Sequence, residues 1–387
     1  MSQLARPLSV GFPRMHKEAA ERRDFLPDIV ARLAACGAEV AVERGIGSGM
    51  GYRDEDYSSA GATHVVDEAG AYARDVVVVL RSPEGRYDLL RPGAVLVSML
   101  HFPTRPARVR MLERMHIDAV SLDMVADDSG RRLVENLESV AWNGVGAGFH
   151  ALEGTWPDLW TQGRRPVRVT VIGAGRIGRH AVEAATKYGD AARNEAFARA
   201  GLAGVEVVTI GRNLTRDATY LRERLAATDL LVDATQRDDA ATPIVPNAWL
   251  SAMPGHAVVC DLVVDPYLLD ATPRVVRGIE GIPQGNLDRW ELPPDDPAWD
   301  DVPASIPHAV RRTVVSCYSW PGVRPEACMR VYGTQLAPIL ETLVAAGGIS
   351  AIRADGTPEE RALWRATLRR WLASGSDIGA QPVVAAI

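Results

Sequence analysis

A glycine-rich turn between an apolar segment and a helix-forming segment constrains this chain most. Residues 167–172 are apolar and β-branched, as in a buried parallel strand, and residues 179–188 can form a helix. Glycines at the spacing G-x-G-x-x-G lie between them. In dinucleotide-binding folds such glycines make the tight turn, admit the pyrophosphate and let the helix pack closely, with its free N–H groups on the phosphates. The residues predicted to form this nucleotide site are Gly173, Gly175, Arg176, Ile177 and Gly178.

Composition excludes several classes of protein. The chain has 387 residues, enough for two domains, and 47% of them are apolar. A net charge of −6 argues against nucleic acid as the main partner. No apolar run approaches the roughly 20 residues that span a bilayer, and the N-terminus lacks a signal-peptide pattern, so we expect a cytoplasmic protein that does not bind membranes. The four cysteines are scattered, which favours buried thiols and no metal site.

Strands that alternate with helices predict an α/β fold. Predicted strands include residues 8–12, 39–43, 74–80, 94–100 and 205–210, and predicted helices include 27–36, 137–152, 324–346 and 358–372. Because the glycine motif lies in mid-chain, we expect two doubly wound, parallel-sheet (Rossmann-like) domains separated by a cleft. The dinucleotide domain, 141–321, is inserted into a substrate and catalytic domain formed by 1–140 and 322–387, and we expect hinge closure around the ligand.

The end of the strand at 205–210 bears on the choice of cofactor. Folds that prefer NAD place an acidic residue here to hold the ribose hydroxyls. This chain has Gly211, Arg212 and Asn213 instead, so nothing repels a 2′-phosphate and Arg212 can bind one. The sequence therefore favours NADP over NAD. Asp233 ends another strand and is expected to border the cofactor.

Several short motifs occur in a fixed order along the chain. They are Gly11-Phe12-Pro13, Lys17, Arg22, Leu26-Pro27, Glu43-Arg44-Gly45-Ile46-Gly47, Asp54-Glu55-Asp56-Tyr57, Ala60-Gly61-Ala62, Asp128-Ser129-Gly130-Arg131-Arg132 and Arg324-Pro325-Glu326-Ala327. In this order they resemble the alanine dehydrogenase, transhydrogenase and saccharopine dehydrogenase superfamily, and the last two segments suggest the lysine-forming saccharopine dehydrogenases. The resemblance implies hydride transfer between a nicotinamide cofactor and the α-carbon of an amino acid or secondary amine.

The resemblance also implies catalytic residues. His101 follows a strand at the edge where ligands bind in parallel sheets, and it matches the acid/base histidine of the family. Arg81 stands where the family has a lysine. Arginine binds a carboxylate bidentately but does not lose its proton, so proton transfer falls to His101, with a water or Asp123, or the reaction differs from that of the family. Asp261 or Asp265 is expected near the nicotinamide, and the register favours Asp265.

Three further residues are expected to bind substrate. Arg22 matches the carboxylate-binding arginine of the family, with Arg23 as an equally basic alternative one residue away. Lys17 is one of only two lysines in the chain and matches a family position. Arg131 matches the saccharopine-type pattern and is a candidate for a second substrate carboxylate.

The leading interpretation is an NAD(P)-dependent oxidoreductase that acts on the C–N bond of an amino acid, or on an imine formed from a 2-oxo acid and an amine, as in saccharopine or alanine dehydrogenases. One alternative is a lyase or cyclodeaminase-like enzyme that retains NAD(P) and recycles the hydride. Another is a non-catalytic nucleotide-binding sensor. By the family resemblance we expect a homo-oligomer.

Overall fold

The computed structural model describes residues 6–15, 20–271 and 273–374. They form two compact units. The first contains the described residues up to Asn136 and again from Arg324 to residue 374, and the second is Leu137–Val323. Each unit has its own six-stranded sheet with helices, which confirms the expectation of two parallel-sheet, Rossmann-like units. Among the described helices, none combines the length and apolarity needed to cross a bilayer.

The strands of the first unit are all parallel, in the order β3-β2-β1-β4-β5-β6. The second sheet has the order β11-β12-β10-β9-β7-β8, and only its edge strand β11 is antiparallel. The strands are β1 (Ser9–Phe12), β2 (Glu39–Glu43), β3 (His64–Val66), β4 (Val76–Arg81), β5 (Val95–Met99), β6 (Asp118–Ser121), β7 (Val167–Ile172), β8 (Val205–Ile210), β9 (Leu230–Asp233), β10 (Val258–Asp261), β11 (Glu291–Leu292) and β12 (Thr313–Ser316).

The helices begin at residues that favour helix starts. Proline stands at the first turn of several of them, where its missing N–H costs nothing, and Asp or Thr side chains cap others. The helices are α1 (Pro27–Ala35), α2 (Asp54–Ser59), α3 (Glu68–Tyr72), α4 (Pro106–Arg114), α5 (Leu137–Thr155), α6 (Arg176–Thr186), α7 (Ala191–Arg199), α8 (Ala218–Ala226), α9 (Pro325–Ala345), α10 (Pro358–Arg365) and α11 (Leu368–Ala373).

The core of the first unit lies on both faces of its sheet. Residues 76–80 of β4 are all buried, as expected for a central parallel strand covered by helices on both sides. The helix α1 buries Ile29, Val30 and Leu33, which share one face, and packs against α9. The chain therefore returns to the first unit after residue 323 to supply the helix that covers α1.

In each sheet the strand order reverses beside the first strand of the unit. In the first unit β1 leads outward to β2 and β3, and the chain then crosses back so that β4 lies on the other side of β1. In the second unit β8 and β9 flank β7 in the same way. Ligands of open α/β sheets bind outside the carboxyl ends of the strands at this reversal. The two candidate sites are therefore the loops after β1 and β4, and those after β7 and β9.

Candidate functional site

Four chemistry-bearing side chains follow neighbouring strands at the carboxyl edge of the first sheet. Arg14 comes two residues after β1, Arg81 ends β4, His101 comes two residues after β5, and Asp123 comes two residues after β6. Because these parallel strands are neighbours, their carboxyl ends lie at one edge. Arg81, His101 and Asp123 were predicted from the sequence, whereas Arg14 was not.

His101 is held by Asp123 through both its backbone and its ring. The backbone N–H of His101 donates to Asp123 Oδ1 and to Ser121 Oγ, each at 3.1 Å. The ring atom Nδ1 lies 3.3 Å from Asp123 Oδ2. A carboxylate at Nδ1 favours the tautomer with a proton on that nitrogen and a lone pair on Nε2. His101 thus has the arrangement of a general base with an orienting acid.

The carboxyl group of Asp123 stays ionised. Its burial acts to raise its pKa, but the hydrogen bond and charge of His101, together with the hydroxyl of Ser121, hold the pKa well below its usual range. His101 itself has φ of 52°, in the left-handed region that disfavours residues with a Cβ. Such backbone strain is concentrated at functional sites. The next residues, Phe102-Pro103, begin a short 3₁₀ helix that fixes the chain direction after the strained residue.

Arg81 lies at a pocket of about 380 Å³ of empty space that is open to solvent. A β-bulge in the pairing of β4 with β5, between Val78 and Arg81, precedes it. We call this the β1–β4 pocket, because residues after both strands line it. The lining residues are Arg14, Met15, Glu21, Tyr72, Val79, Arg81, Ser82, Pro83, Glu84 and Arg86.

The neighbouring arginines at positions 22 and 23 lie in different environments. Arg22, the predicted carboxylate ligand, is exposed, whereas Arg23 is only 3% exposed. Arg23 Nη2 lies 2.6 Å from Glu21 Oε2, and its Nε donates to Glu21 Oε1 at 2.8 Å. Although burial acts to raise the pKa of Glu21, the hydrogen bond and charge of Arg23 lower it, with a further contribution from Arg81. The buried pair forms one wall of the β1–β4 pocket at Glu21.

The adjacent arginines at positions 131 and 132 also differ in their exposure to solvent. Arg131 is exposed in a turn, where its backbone N–H donates to Asp127 Oδ1 at 2.9 Å. Arg132 is half-buried. Burial raises the pKa of Tyr332, on α9, and the charges of Arg23, Arg132 and Arg81 act in the opposite direction. The Nε atom of Arg132 is itself buried, so this side chain reaches into the interior of the first unit. Lys17, another predicted ligand, lies outside the described residues.

The glycine loop of the second unit fits the phosphates of a dinucleotide. Gly173 has φ of 107°, and a Cβ there would overlap Ala234 O. A Cβ on Gly178 would overlap Gly173 O, so only glycine allows this close approach of helix and loop. A Cβ on Gly175 would meet no heavy atom of the described residues within 4 Å. Gly175 is the N-cap of α6 and has no side chain to cap it, so the first turn of α6, which begins at Arg176, presents its N-terminal end to this loop, the position where helices bind phosphate.

Arg212 follows β8 as predicted, and it has an acidic neighbour. Its Nη1 lies 2.6 Å from Asp238 Oδ2, in the loop after β9. Both side chains are more than half exposed, at 60% and 74%. The sequence of β8 gave no sign of this pair, because Asp238 is distant along the chain.

Three buried carboxyl groups lie at the carboxyl ends of β9 and β10: Asp233 ends β9, Asp261 ends β10, and Asp265 follows four residues later. Burial, and then the negative charge of Asp261, raise the pKa of Asp233 to about 7. Asp261 Oδ2 accepts hydrogen bonds from Arg277 at 2.7 Å and from Ser316 Oγ at 3.0 Å. Asp265 Oδ2 accepts one from Arg237 at 2.6 Å, and its pKa is raised by burial against the lowering effect of Arg237. Both aspartates near the expected nicotinamide position are thus engaged in buried ion pairs within the second unit.

The two sheets, each with its ligand edge at the strand reversal, define a Rossmann-like α/β protein. Residues 12–142 match the family model described as alanine dehydrogenase/PNT, N-terminal domain. Alanine dehydrogenase of Bacillus subtilis (strain 168) is 26% identical over 270 residues, which cover 66% of this chain and 70% of that protein. Alanine dehydrogenase 2 of Staphylococcus aureus (strain Mu50 / ATCC 700699) is 27% identical over 273 residues, which cover 67% and 72%.

Solved structures show the same fold. An L-alanine dehydrogenase has a TM-score of 0.65 at 20% identity, covering 93% of this chain and 94% of that one. A transhydrogenase from Sinorhizobium meliloti has a TM-score of 0.55 at 19% identity, covering 92% and 97%. The family model and the two relatives confirm the resemblance to the alanine dehydrogenase and transhydrogenase superfamily, and the solved structures show the shared fold.

Proposed function

We propose that this protein is an NAD(P)-dependent oxidoreductase that acts on the C–N bond of an amino acid, or in reverse on an imine formed from a 2-oxo acid and an amine. The similarity to alanine dehydrogenases supports an oxidoreductase of the amino-acid dehydrogenase type. The observation that carries the proposal is the His101–Asp123 pair beside Arg81 at the carboxyl edge of the first sheet. A base, its orienting acid and a carboxylate anchor are the groups that this reaction requires of the protein.

In the first unit, each of three residues has its own proposed role in binding or proton transfer. Arg81 binds the substrate carboxylate, because a guanidinium presents two parallel donors to it. His101 Nε2 takes the proton that leaves the nitrogen or the carbinolamine oxygen as the amine is converted to the 2-oxo acid, and returns it in the reverse direction. Asp123 stabilises the imidazolium that forms. A water molecule supplies the oxygen of the 2-oxo acid, ammonia or the amine leaves, and the α-hydrogen departs with its two electrons.

The second unit provides the residues that would hold the cofactor. When bound, NAD(P)⁺ supplies the acceptor for the hydride. The N–H groups of Arg176 and Ile177 at the start of α6 would bind the pyrophosphate, with Gly175 leaving room for it. Asp233 would border the cofactor, and Arg212 would favour the 2′-phosphate of NADP. We propose that residues 1–140 together with 322–387 form the substrate and catalytic domain, and that residues 141–321 form the domain that binds the cofactor.

The first experiment measures NADPH and NADH binding to the purified protein, and then their oxidation at 340 nm with 2-oxo acids and ammonium. His101→Ala should lower turnover by roughly a hundredfold or more, because the general base is lost, while cofactor affinity stays unchanged. His116→Ala is the matched control. His116 is exposed and also has a left-handed backbone, with φ of 54°, and it should retain activity.

Each outcome has a clear meaning. Full activity of His101→Ala would remove this residue from the mechanism. Binding of NADPH without oxidation across a broad panel of substrates would favour a sensor, and tight retention of the nucleotide with no net consumption would favour the hydride-recycling enzyme. Failure to bind either nucleotide would refute the assignment of the glycine loop.

A further inference from the structure

The hydroxyl group of Ser121, the last residue of β6, is fully hydrogen-bonded inside the first unit. Its Oγ accepts from the backbone N–H of Leu100 at 3.3 Å and from that of His101 at 3.1 Å. It also lies 2.7 Å from Asp123 Oδ1. A serine hydroxyl has two lone pairs and one hydrogen, and the two N–H groups occupy the lone pairs. The hydrogen of the hydroxyl therefore points to Asp123, because an ionised carboxylate can only accept.

This hydrogen bond holds the carboxylate of Asp123 by the oxygen that does not face the ring of His101. Oδ1 accepts from Ser121 Oγ and from the backbone N–H of His101. Oδ2 lies 3.3 Å from ring Nδ1. Because two donors bind Oδ1, rotation of the carboxylate is restricted and Oδ2 stays beside the ring. Ser121 thus orients the group that sets the tautomer of His101.

The backbone of Ser121 is held on both sides. On one side β5 pairs with β6, and Ser98 is in register with Ser121. On the other side the connection between α10 and α11 covers the edge of the sheet. Val120 and Thr367 form an antiparallel bridge there, and the Ser121 N–H donates to Ala366 O at 2.9 Å. The hydroxyl therefore projects from a backbone whose position is fixed by pairing to two neighbouring segments.

We infer that Ser121 is a positioning residue for proton transfer: its hydroxyl holds Asp123 so that the ring of His101 keeps its proton on Nδ1 and presents Nε2 as the base. The inference rests on the proposed function, in which Nε2 exchanges a proton with the substrate. Ser121 has no exposed surface, so it touches neither substrate nor cofactor. Its effect on the reaction passes through Asp123 and His101.

Ser121→Ala removes the hydroxyl and leaves the strand pairing, which uses backbone atoms. The variant should lose roughly 10- to 100-fold in kcat because the base is no longer oriented, while KM stays within about twofold because the carboxylate anchor is intact. Ser121→Cys has a weaker donor, so its kcat should be intermediate. In a His101→Ala background, Ser121→Ala should lower kcat by less than about twofold, because two residues that act in one step are not additive.

Ser98→Ala is the matched control. Ser98 is the register partner of Ser121 on β5 and is equally buried. Its hydroxyl has no hydrogen-bond partner among the residues that the structure describes. The substitution removes the same atom at the same depth of the same sheet, so kcat should equal that of the wild type. Thermal melting checks that each variant is folded, and Ser121→Cys keeps the test valid if Ser121→Ala is not.

NMR of the ring nitrogens in isotope-labelled protein separates this inference from the proposed function. The chain has eight histidines, and the signals that disappear in His101→Ala belong to His101. At a pH where the ring is neutral, the wild type should show a protonated Nδ1 and an unprotonated Nε2. Ser121→Ala should show a mixture of the two tautomers, and Ser98→Ala should match the wild type. This result supports the inference even if no 2-oxo acid oxidises NADPH.

Three results overturn the inference. One is a His101 tautomer that Ser121→Ala leaves unchanged, whether or not the protein turns over a substrate. Another is a kcat of Ser121→Ala equal to that of the wild type. The third is an equal loss on Ser121→Ala with and without His101, because the hydroxyl would then act on the fold and not through the imidazole.

Discussion

Asp233 should make the stability of the second unit depend on pH in an unusual direction. Its side chain lies at the end of β9, with a residue exposure of 2%, and Thr235 N–H donates to Oδ1 at 3.0 Å. A Cβ on Gly278 would overlap Oδ2, so the glycine backbone closes over the carboxyl group. Burial and the charge of Asp261 raise the pKa of Asp233 to about 7, so the folded protein carries a neutral acid here below that pH.

The sign follows from proton linkage. In the unfolded chain the pKa is near 3.8, the ordinary value for this group. Between about pH 4 and pH 7 the folded state binds one more proton than the unfolded state, so the free energy of unfolding falls as pH rises. The slope is about 1.4 kcal/mol per pH unit, and the total is about 4 kcal/mol. Below pH 4 both states are protonated, and above pH 7 both are ionised.

Asp233→Asn isolates this effect. The amide keeps the shape and the acceptor for Thr235 N–H but does not titrate. Urea unfolding of variant and wild type between pH 5 and pH 8 should show the variant gaining about 1.4 kcal/mol per unit up to about pH 7 and no more beyond it. Infrared spectroscopy of the wild type at pH 6 should show a protonated carboxyl band that the variant lacks.

Asp296→Asn is the control in the same unit. Burial acts to raise the pKa of Asp296, but the hydrogen bond from Arg289 outweighs it and the pKa is lowered. Asp296 is therefore ionised in both states over pH 5 to 8, and the difference between this variant and the wild type should stay level. A level difference for Asp233→Asn as well would refute a neutral buried acid at that position.

Two further predictions concern the cofactor. Gly175→Val should weaken NADPH binding at least tenfold without loss of stability, because its Cβ enters the open space above α6. Gly178→Val should instead destabilise the unit, because its Cβ overlaps Gly173 O. Equal melting temperatures of the two variants, together with an unchanged Kd for Gly175→Val, would contradict this prediction. Asp238→Asn should release Arg212 and raise the affinity for NADPH over NADH by up to about fivefold, the range of an exposed ion pair. A fluorescence titration that shows no change in that ratio would mean that Arg212 does not read the 2′-phosphate.

The regular elements could be predicted where local signals agree. The strands 39–43, 167–172 and 205–210 have the predicted bounds. The last two are rich in β-branched residues, the first places valine at alternate positions, and glycines lie just outside all three. The C-terminal segment 358–372 was predicted to be helical and is helical, but the break within it was not predicted. The structure divides it into α10 and α11, because Thr367 caps the second helix by accepting from Arg370 N–H. A threonine inside an amphipathic pattern gives no warning of such a break.

The directions of the side chains at the site could not be predicted from the sequence. At 22–23 and at 131–132 two adjacent arginines compete for one role, and only the turn of the backbone decides which one faces the interior. In both pairs the second arginine is the more buried. Arg14 was overlooked because arginine supplies nearly all of the 43 basic residues, so a single one carries little signal. Its position directly after Pro13, at the end of β1, was the available clue.

Because residue 81 is an arginine, the proposed mechanism depends on the His101–Asp123 pair for proton transfer. A lysine there would be able to share the proton, but a guanidinium remains charged throughout the reaction. In the proposed function, proton transfer then depends on the imidazole of His101, whose ring has to be oriented before the substrate binds. The left-handed backbone of His101 costs on the order of 1–3 kcal/mol, and Asp123 offsets it by binding both the backbone N–H and ring Nδ1. In the proposed function, the same two contacts leave Nε2 as the ring nitrogen that exchanges a proton with the substrate.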